Sequence, residues 1–217
     1  MIKLLRTILC IGVFSLGLLS TANANLEPRA GGMVYDDVLD ITWLADANRA
    51  QTSGYDSDGR MNWNDAMTWA ANLSYGGYDD WRLPSSLNHD GSGPCFQYGC
   101  TSSEMGHMYY NNMGAKGGGD ILSGTNTANL ALFTNLQSAV YWSGTVYAPS
   151  PADEAWAFWT ISSYQGHYGQ GHEWLAWAVR PGDVAAIPEP ETYAMLLAGL
   201  GLLGVAAKWR RRSFGAS

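Results

Sequence analysis

Three sets of side chains in this sequence have types and spacings that could do chemistry. Cys95 and Cys100, with four residues between them, could close a small loop as a disulfide or contribute two thiolates to a metal. Gly54-Tyr55-Asp56-Ser57-Asp58-Gly59 sets two carboxylates two residues apart in a polar loop, where a hard cation such as calcium could find oxygen ligands. Trp156, Trp159, Trp174 and Trp177, with Trp142 before them, crowd the last third of the domain. Five indoles do not fit easily into one small core, and an exposed subset would make a platform for stacking on sugar rings.

Several other chemistries fail on spacing. His172-Glu173-Trp174-Leu175-Ala176 opens like a zinc-protease helix, but an alanine stands where the second histidine must be. Ser143 lacks the flanking glycine of a nucleophile elbow. The glycines between Lys116 and Gly124 have neither the Lys-Ser nor the strand-to-helix context of a phosphate cradle. The Asp56 loop is not an EF-hand, because Gly54 stands at its first ligand position. A zinc site at Cys95 and Cys100 would need two more ligands, and only His89 and His107 lie near in sequence. No catalytic residue stands out, and the sequence reads as non-enzymatic.

Composition narrows the partners. The chain has 217 residues and a formal net charge of −7, with 10 Trp, 12 Tyr and 26 Gly. Between Asn25 and Asp183 six cations face seventeen acids, a net charge of −11. Such a surface repels nucleic acid and other polyanions, so no nucleic-acid partner is expected. One aromatic-rich, loop-rich domain is expected, of class α+β.

The positioning elements follow from periodicity. Met33-Val34-Tyr35 and Ile41-Thr42-Trp43-Leu44 flank an acidic turn at Asp36-Asp37 and predict a hairpin. Asn62 can cap a helix from Trp63 to Leu73, whose apolar residues Trp63, Ala66, Met67, Ala70 and Ala71 keep helical spacing. Gly76-Gly77 permit positive φ after that helix, Trp81 and Leu83 alternate as buried strand residues do, and Pro84 ends the strand. Trp81 and Arg82 read as scaffold. Thr101-Ser102-Ser103-Glu104 is a capping box before Met105, Met108, Tyr109 and Met113, a core-facing stripe that Gly114 closes. Segments 139–147, 155–161 and 174–180 read as strands of an antiparallel sheet, with turns at 149–151 and 166–171.

Both ends carry export signals. Lys3 and Arg6 precede an apolar run from Ile8 to Leu19, and Ala22-Asn23-Ala24 supplies a cleavage site, so residues 1–24 read as a secretory signal peptide. Two cysteines remain in the mature chain, and in an oxidising compartment Cys95 and Cys100 form a local disulfide that stabilises by ~2 kcal/mol. A linker at 184–191 leads to an apolar run from Tyr193 to Ala207, short of the ~20 residues of a stable span. Lys208-Trp209-Arg210-Arg211-Arg212 follows, so residues 192–212 read as a transmembrane segment with its Arg cluster in the cytoplasm.

Two resemblances emerge from ordered motifs. Val34-Tyr35-Asp36-Asp37 with Trp43, Trp63 to Leu73, Gly77-Tyr78 with Trp81-Arg82-Leu83-Pro84, Tyr141-Trp142-Ser143-Gly144 and Ala178-Val179-Arg180 together resemble the Lcl C-terminal-like domain over residues 31–183. That resemblance implies a C-type lectin-like fold, with two short helices packed on a small antiparallel sheet and long loops. Pro188-Glu189-Pro190, the apolar run and the Arg cluster resemble the PEP-CTERM sorting signal. This implies recognition by an exosortase in bacteria that make exopolysaccharide, a transient stay in the inner membrane, and release to the cell surface or matrix. Adhesion through glycan or protein contacts is the expected role. Two other readings remain: a calcium-dependent carbohydrate binder through Asp56 and Asp58, and an enzyme, since Trp81-Arg82-Leu83-Pro84 also resembles a motif of formylglycine-generating-type oxidases.

Overall fold

The computed structural model describes residues 26–184, so the expected signal peptide, the Pro188-Glu189-Pro190 motif and the membrane segment all lie outside the described residues. Along the described residues run β1 (Leu26–Arg29), β2 (Met33–Asp36), β3 (Ile41–Leu44), α1 (Arg49–Thr52), β4 (Arg60–Met61) and α2 (Trp63–Ala71). They are followed by α3 (Glu104–His107), α4 (Thr127–Leu130), β5 (Val140–Val146), β6 (Glu154–Trp159), β7 (Tyr164–Gly169), β8 (Trp174–Leu175) and β9 (Val179–Pro181).

The strands make two sheets rather than the single one expected. The first has the order β1-β2-β3-β9 and is antiparallel throughout. Its hairpin turns at Asp36, whose buried Oδ1 accepts hydrogen bonds from the Val38 and Leu39 amides. The second has the order β4-β8-β5-β6-β7 and is antiparallel except where Tyr141 pairs with Leu175 in parallel. The run 174–180 was expected as one strand and is instead divided, because Ala176 to Ala178 carry the buried chain from one sheet to the other. The fold is α+β, with few and short helices.

Trp43 and Trp177 lock the two sheets together, and Trp142 fastens β5 to β4 within the second. Trp43, Trp142 and Trp177 are fully buried, and Trp43 and Trp177 meet with ring centroids 4.7 Å apart. Burying an indole also buries its N–H, which needs an acceptor; Trp43 Nε1 is left without one among the described residues, and three other indoles find theirs on the backbone. Trp177 Nε1 donates to the Leu44 carbonyl at 2.7 Å, Trp142 Nε1 to the Met61 carbonyl at 2.9 Å, and Trp63 Nε1 to the Ser143 carbonyl at 2.8 Å. These bonds join segments 80 or more residues apart in sequence.

α2 begins as expected, with Asn62 Oδ1 accepting from the Asp65 amide at 3.0 Å. It buries Trp63, Ala66, Trp69 and Ala70, while Ala71 is exposed. The buried face is therefore rotated toward the larger Trp69 and away from Ala71. The capping box shifts as well. Ser103, not Thr101, caps α3 through the Gly106 amide, and Glu104 turns away to Arg82. A wider π-type turn over Met108–Asn112 continues that helix, and Met105, Met108, Tyr109 and Met113 are all buried as the stripe predicted.

Candidate binding face

Antiparallel pairing puts the side chains of opposite residues on one side of a sheet. Trp159 pairs with Tyr164, Ala157 with Gly166 and Ala155 with Tyr168, so Trp159, Tyr164 and Tyr168 share a side, spaced by three small residues. Trp142 pairs with Ala157 and underlies the same side. β8 adds Trp174, whose ring centroid is 4.4 Å from that of Trp142 and 5.2 Å from that of Trp159. His172 stacks on Trp174 at 4.9 Å with the planes 4° apart. Tyr168 closes the group, 4.8 Å from Trp159 and 5.5 Å from Trp174.

The cystine loop extends this array. Cys95 and Cys100 are disulfide-bonded as expected, and between them Gln97 pairs with Gln165 on the outer edge of β7, with reciprocal amide-to-carbonyl bonds of 2.8 and 2.9 Å. The buried Gln165 side chain ties the loop down further, donating to the Cys95 carbonyl at 2.7 Å and accepting from Ser103 Oγ at 2.6 Å. The loop therefore covers part of an open sheet edge. It holds out Phe96 and Tyr98, which are 48% and 60% exposed. Tyr164 lies 5.3 Å from Tyr98 and 5.9 Å from Phe96, and 5.3 Å from Trp159. Rings thus run without a break from Tyr98 through Tyr164 and Trp159 to Trp174 and His172.

The four tryptophans proposed as a platform divide. Trp159 and Trp174 are half-buried members of the face. Trp156 and Trp177 are not: Trp156 is 5% exposed and Trp177 fully buried, because Trp156 points to the opposite side of β6 and Trp177 fills the space between the sheets. Phe96, Tyr98, Tyr164, Tyr168 and His172 are members that spacing did not single out. The alternation of Tyr164, Gly166 and Tyr168 was a strand signal, but glycine-rich composition made 166–171 read as a turn. Burial raises the Tyr164 hydroxyl pKa above its ordinary value, with Tyr168 and Tyr98 adding to the effect.

Beside the rings lies a cleft of about 530 Å³. Asp65, Asp153 and Glu173 line it together with Asn62, Asn64 and Gln170. The turn between β7 and β8 serves both sites: Gly171 and Glu173 line the cleft, and His172 and Trp174 belong to the rings.

The signature residues do structural work. Arg82 donates through Nη1 and Nη2 to both oxygens of Glu104, at 2.8 and 2.7 Å, and Glu104 also accepts from the Ser85 amide. Arg180 grips both Asp80 oxygens at 2.7 and 2.9 Å, holding the Asp80 carboxyl below the usual carboxylate range, and lies 4.0 Å over the Tyr78 ring. Gly76 and Gly77, at φ of 64° and 86°, make the tight entry to this segment. Trp81 and Leu83 are buried, Arg82 pairs with Val179 in an isolated bridge, and Pro84 accepts from the Gly144 amide. Ser143 spends its hydroxyl on the Thr145 amide.

The Asp56 loop folds around its own carboxylates. Asp56 Oδ1 accepts from the Asp58 and Gly59 amides at 3.0 and 2.7 Å, and Asp58 Oδ1 accepts from the Arg60 amide at 2.9 Å. Among the described residues, no three His, Cys, Asp or Glu side chains gather so as to hold a metal ion.

The profile of the Lcl C-terminal domain matches residues 32–180, a span that holds both sheets from β2 onward, the cystine loop and the ring array. The chain belongs to the Lcl C-terminal domain family. The PEP-CTERM protein-sorting motif matches residues 186–212, immediately after this Lcl C-terminal domain, and includes Pro188, Glu189 and Pro190. It makes an exosortase the processing partner and marks the chain as an exported protein that transits the membrane on its way to the cell surface. No curated protein matches the chain. No helix among the described residues is long and apolar enough to cross a membrane.

Proposed function

We propose that the Lcl C-terminal domain of this chain is a non-enzymatic binding module of C-type lectin-like fold that holds sugar polymers at the cell surface or in the extracellular matrix. The observation that carries this reading is the unbroken row of rings on β6, β7, β8 and the cystine loop, in which Phe96, Tyr98 and Tyr168 keep over a third of their surface in water. Aromatic faces stack on the apolar faces of sugar rings, and rings already held by their neighbours lose little conformational freedom on binding. The non-catalytic reading is supported by Cys95 and Cys100 being bonded to each other within one loop and by the scaffold bonds of Arg82 and Arg180. The lectin-like reading of the fold is supported by β9 returning to β3, which brings the two ends of the domain together.

The test is retention of the full chain, kept in mild detergent, on the producing cell's own exopolysaccharide. Trp159→Ala and Tyr168→Ala should each weaken retention about tenfold, the size of one lost stacking contact of ~1.4 kcal/mol. Retention that both variants leave unchanged would contradict the proposal.

A further inference from the structure

Resting on that reading, the surface chemistry also selects the kind of sugar. We infer that the face takes a glycan carrying free amino groups, a polymer of amino sugars, in preference to a neutral or uronic-acid polymer. The rings alone do not discriminate among these, since a pyranose of any of the three classes presents an apolar face. What differs is the charge beside the rings.

The neighbouring cleft offers three carboxylates, Asp65, Asp153 and Glu173, and three amides, Asn62, Asn64 and Gln170, with no Arg or Lys among its lining residues. Glu173 sits between His172 and Trp174 in the chain and lines the cleft, so the cleft adjoins these stacked rings. The wider field has the same sign, with six cations against seventeen acids over 25–183. Three of the six cations pair with four of the acids, Arg29 with Glu27 and Asp183, Arg82 with Glu104 and Arg180 with Asp80, which leaves three cations and thirteen acids outside these pairs. An ammonium group on the sugar meets acceptors in the cleft and an attractive field, whereas a uronate or sulfate meets repulsion and unpaired oxygens. The exposed Asn64 amide complements the hydroxyls that every sugar presents, while Asn62 is held by Asp65 and Gln170 by the Pro151 and Glu154 carbonyls. Rings and acceptors side by side match a glycan better than a lysine-rich peptide, which would use the acids and leave most of the ring surface in water.

The test compares four probes on the full chain in mild detergent, at low salt and a mildly acidic pH that keeps the amines protonated: a glucosamine hexamer, its N-acetylated counterpart, a hexamer of uronic acid, and hexalysine. The inference expects the glucosamine hexamer to bind about tenfold tighter than the N-acetylated one, from the summed small contributions of solvent-accessible charges. It expects the uronic-acid hexamer to bind most weakly. The gap should narrow as salt is raised and should close in Asp153→Asn/Glu173→Gln, which leaves the rings in place. Trp159→Ala should weaken the amino and N-acetylated hexamers alike. Equal binding of those two by the native chain would overturn the charge selection and leave the sugar-binding reading standing. Hexalysine binding as tightly as the glucosamine hexamer would overturn the choice of a glycan as occupant. Binding of none of the sugars would overturn both this inference and the reading on which it rests.

Discussion

Replacing Arg180 with methionine separates scaffold from binding surface. Arg180 is 8% exposed, and its guanidinium makes two bonds to Asp80, donates to the carbonyls of Asp183 and Gly182 at 3.2 and 3.4 Å, and covers the Tyr78 ring. The Asp80 side chain is 43% exposed, so water screens the ion pair and limits it to about 1 kcal/mol. The two carbonyl bonds add about 1 kcal/mol between them at these longer distances, and the ring contact adds roughly 0.5–1 kcal/mol. Methionine keeps most of the aliphatic packing, and Asp80 can rehydrate, so no buried charge is stranded. The expected loss is about 3 kcal/mol, or roughly 6–12 °C in melting temperature for a domain of this size. Asp80→Asn should cost less, about 1–2 kcal/mol, and the double variant should show a coupling near 1 kcal/mol. Thermal and denaturant melts read all three. Below the melting range, each variant should retain exopolysaccharide as the native chain does. A stability loss under about 1 kcal/mol would refute the clamp, and lost retention at unchanged stability would make Arg180 a ligand contact.

Three further expectations follow from the same geometry. Cys95→Ser should lower stability by ~2 kcal/mol and also weaken retention, because Phe96 and Tyr98 lose the loop that holds them beside Tyr164; paired melting and retention measurements check both. Gly166→Ala would put a Cβ 2.6 Å from the Tyr164 ring, 3.4 Å from Tyr168 and 3.5 Å from Phe96, so binding should weaken more than a stability loss of about 1–2 kcal/mol explains. Burial, partly offset by Asp36, lowers the His107 pKa, so this base takes up a proton on unfolding; its contribution is complete above about pH 6.5 and falls away below it. Melting temperature should therefore drop between about pH 7 and pH 5, His107→Gln should flatten that limb, and the separate loss below about pH 4 from Asp80 and Asp183 should remain.

What the sequence made legible follows from range. The β2–β3 hairpin, the Asn62 cap and the cystine are local, and neighbouring residues specify them. The division of 174–180 between two sheets depends on Tyr141 and Trp43 arriving from elsewhere in the chain, so a strand-like run could not announce it. β7 was hidden for a different reason. Its glycines weaken any strand signal, and their role becomes visible only when Gly166 is seen making room for three rings. The surplus of indoles pointed to rings left partly exposed, as Trp159 and Trp174 are, but composition could not say which indoles are buried. Pairing register decided that, by setting Trp156 and Trp159 on opposite sides of one strand. The capping box misled because Glu104 had a stronger partner in Arg82 than in its own helix terminus.

Oxidative footprinting of the chain with and without bound exopolysaccharide tests the central claim most directly. The account predicts protection on binding at Phe96, Tyr98, Trp159, Tyr164, Tyr168 and Trp174, and none at Tyr55 and Leu122, which are 54% and 50% exposed away from the rings. Protection confined to Leu87 and Val146, beside the Arg82 segment, with the ring array oxidised as in the free protein, would contradict it.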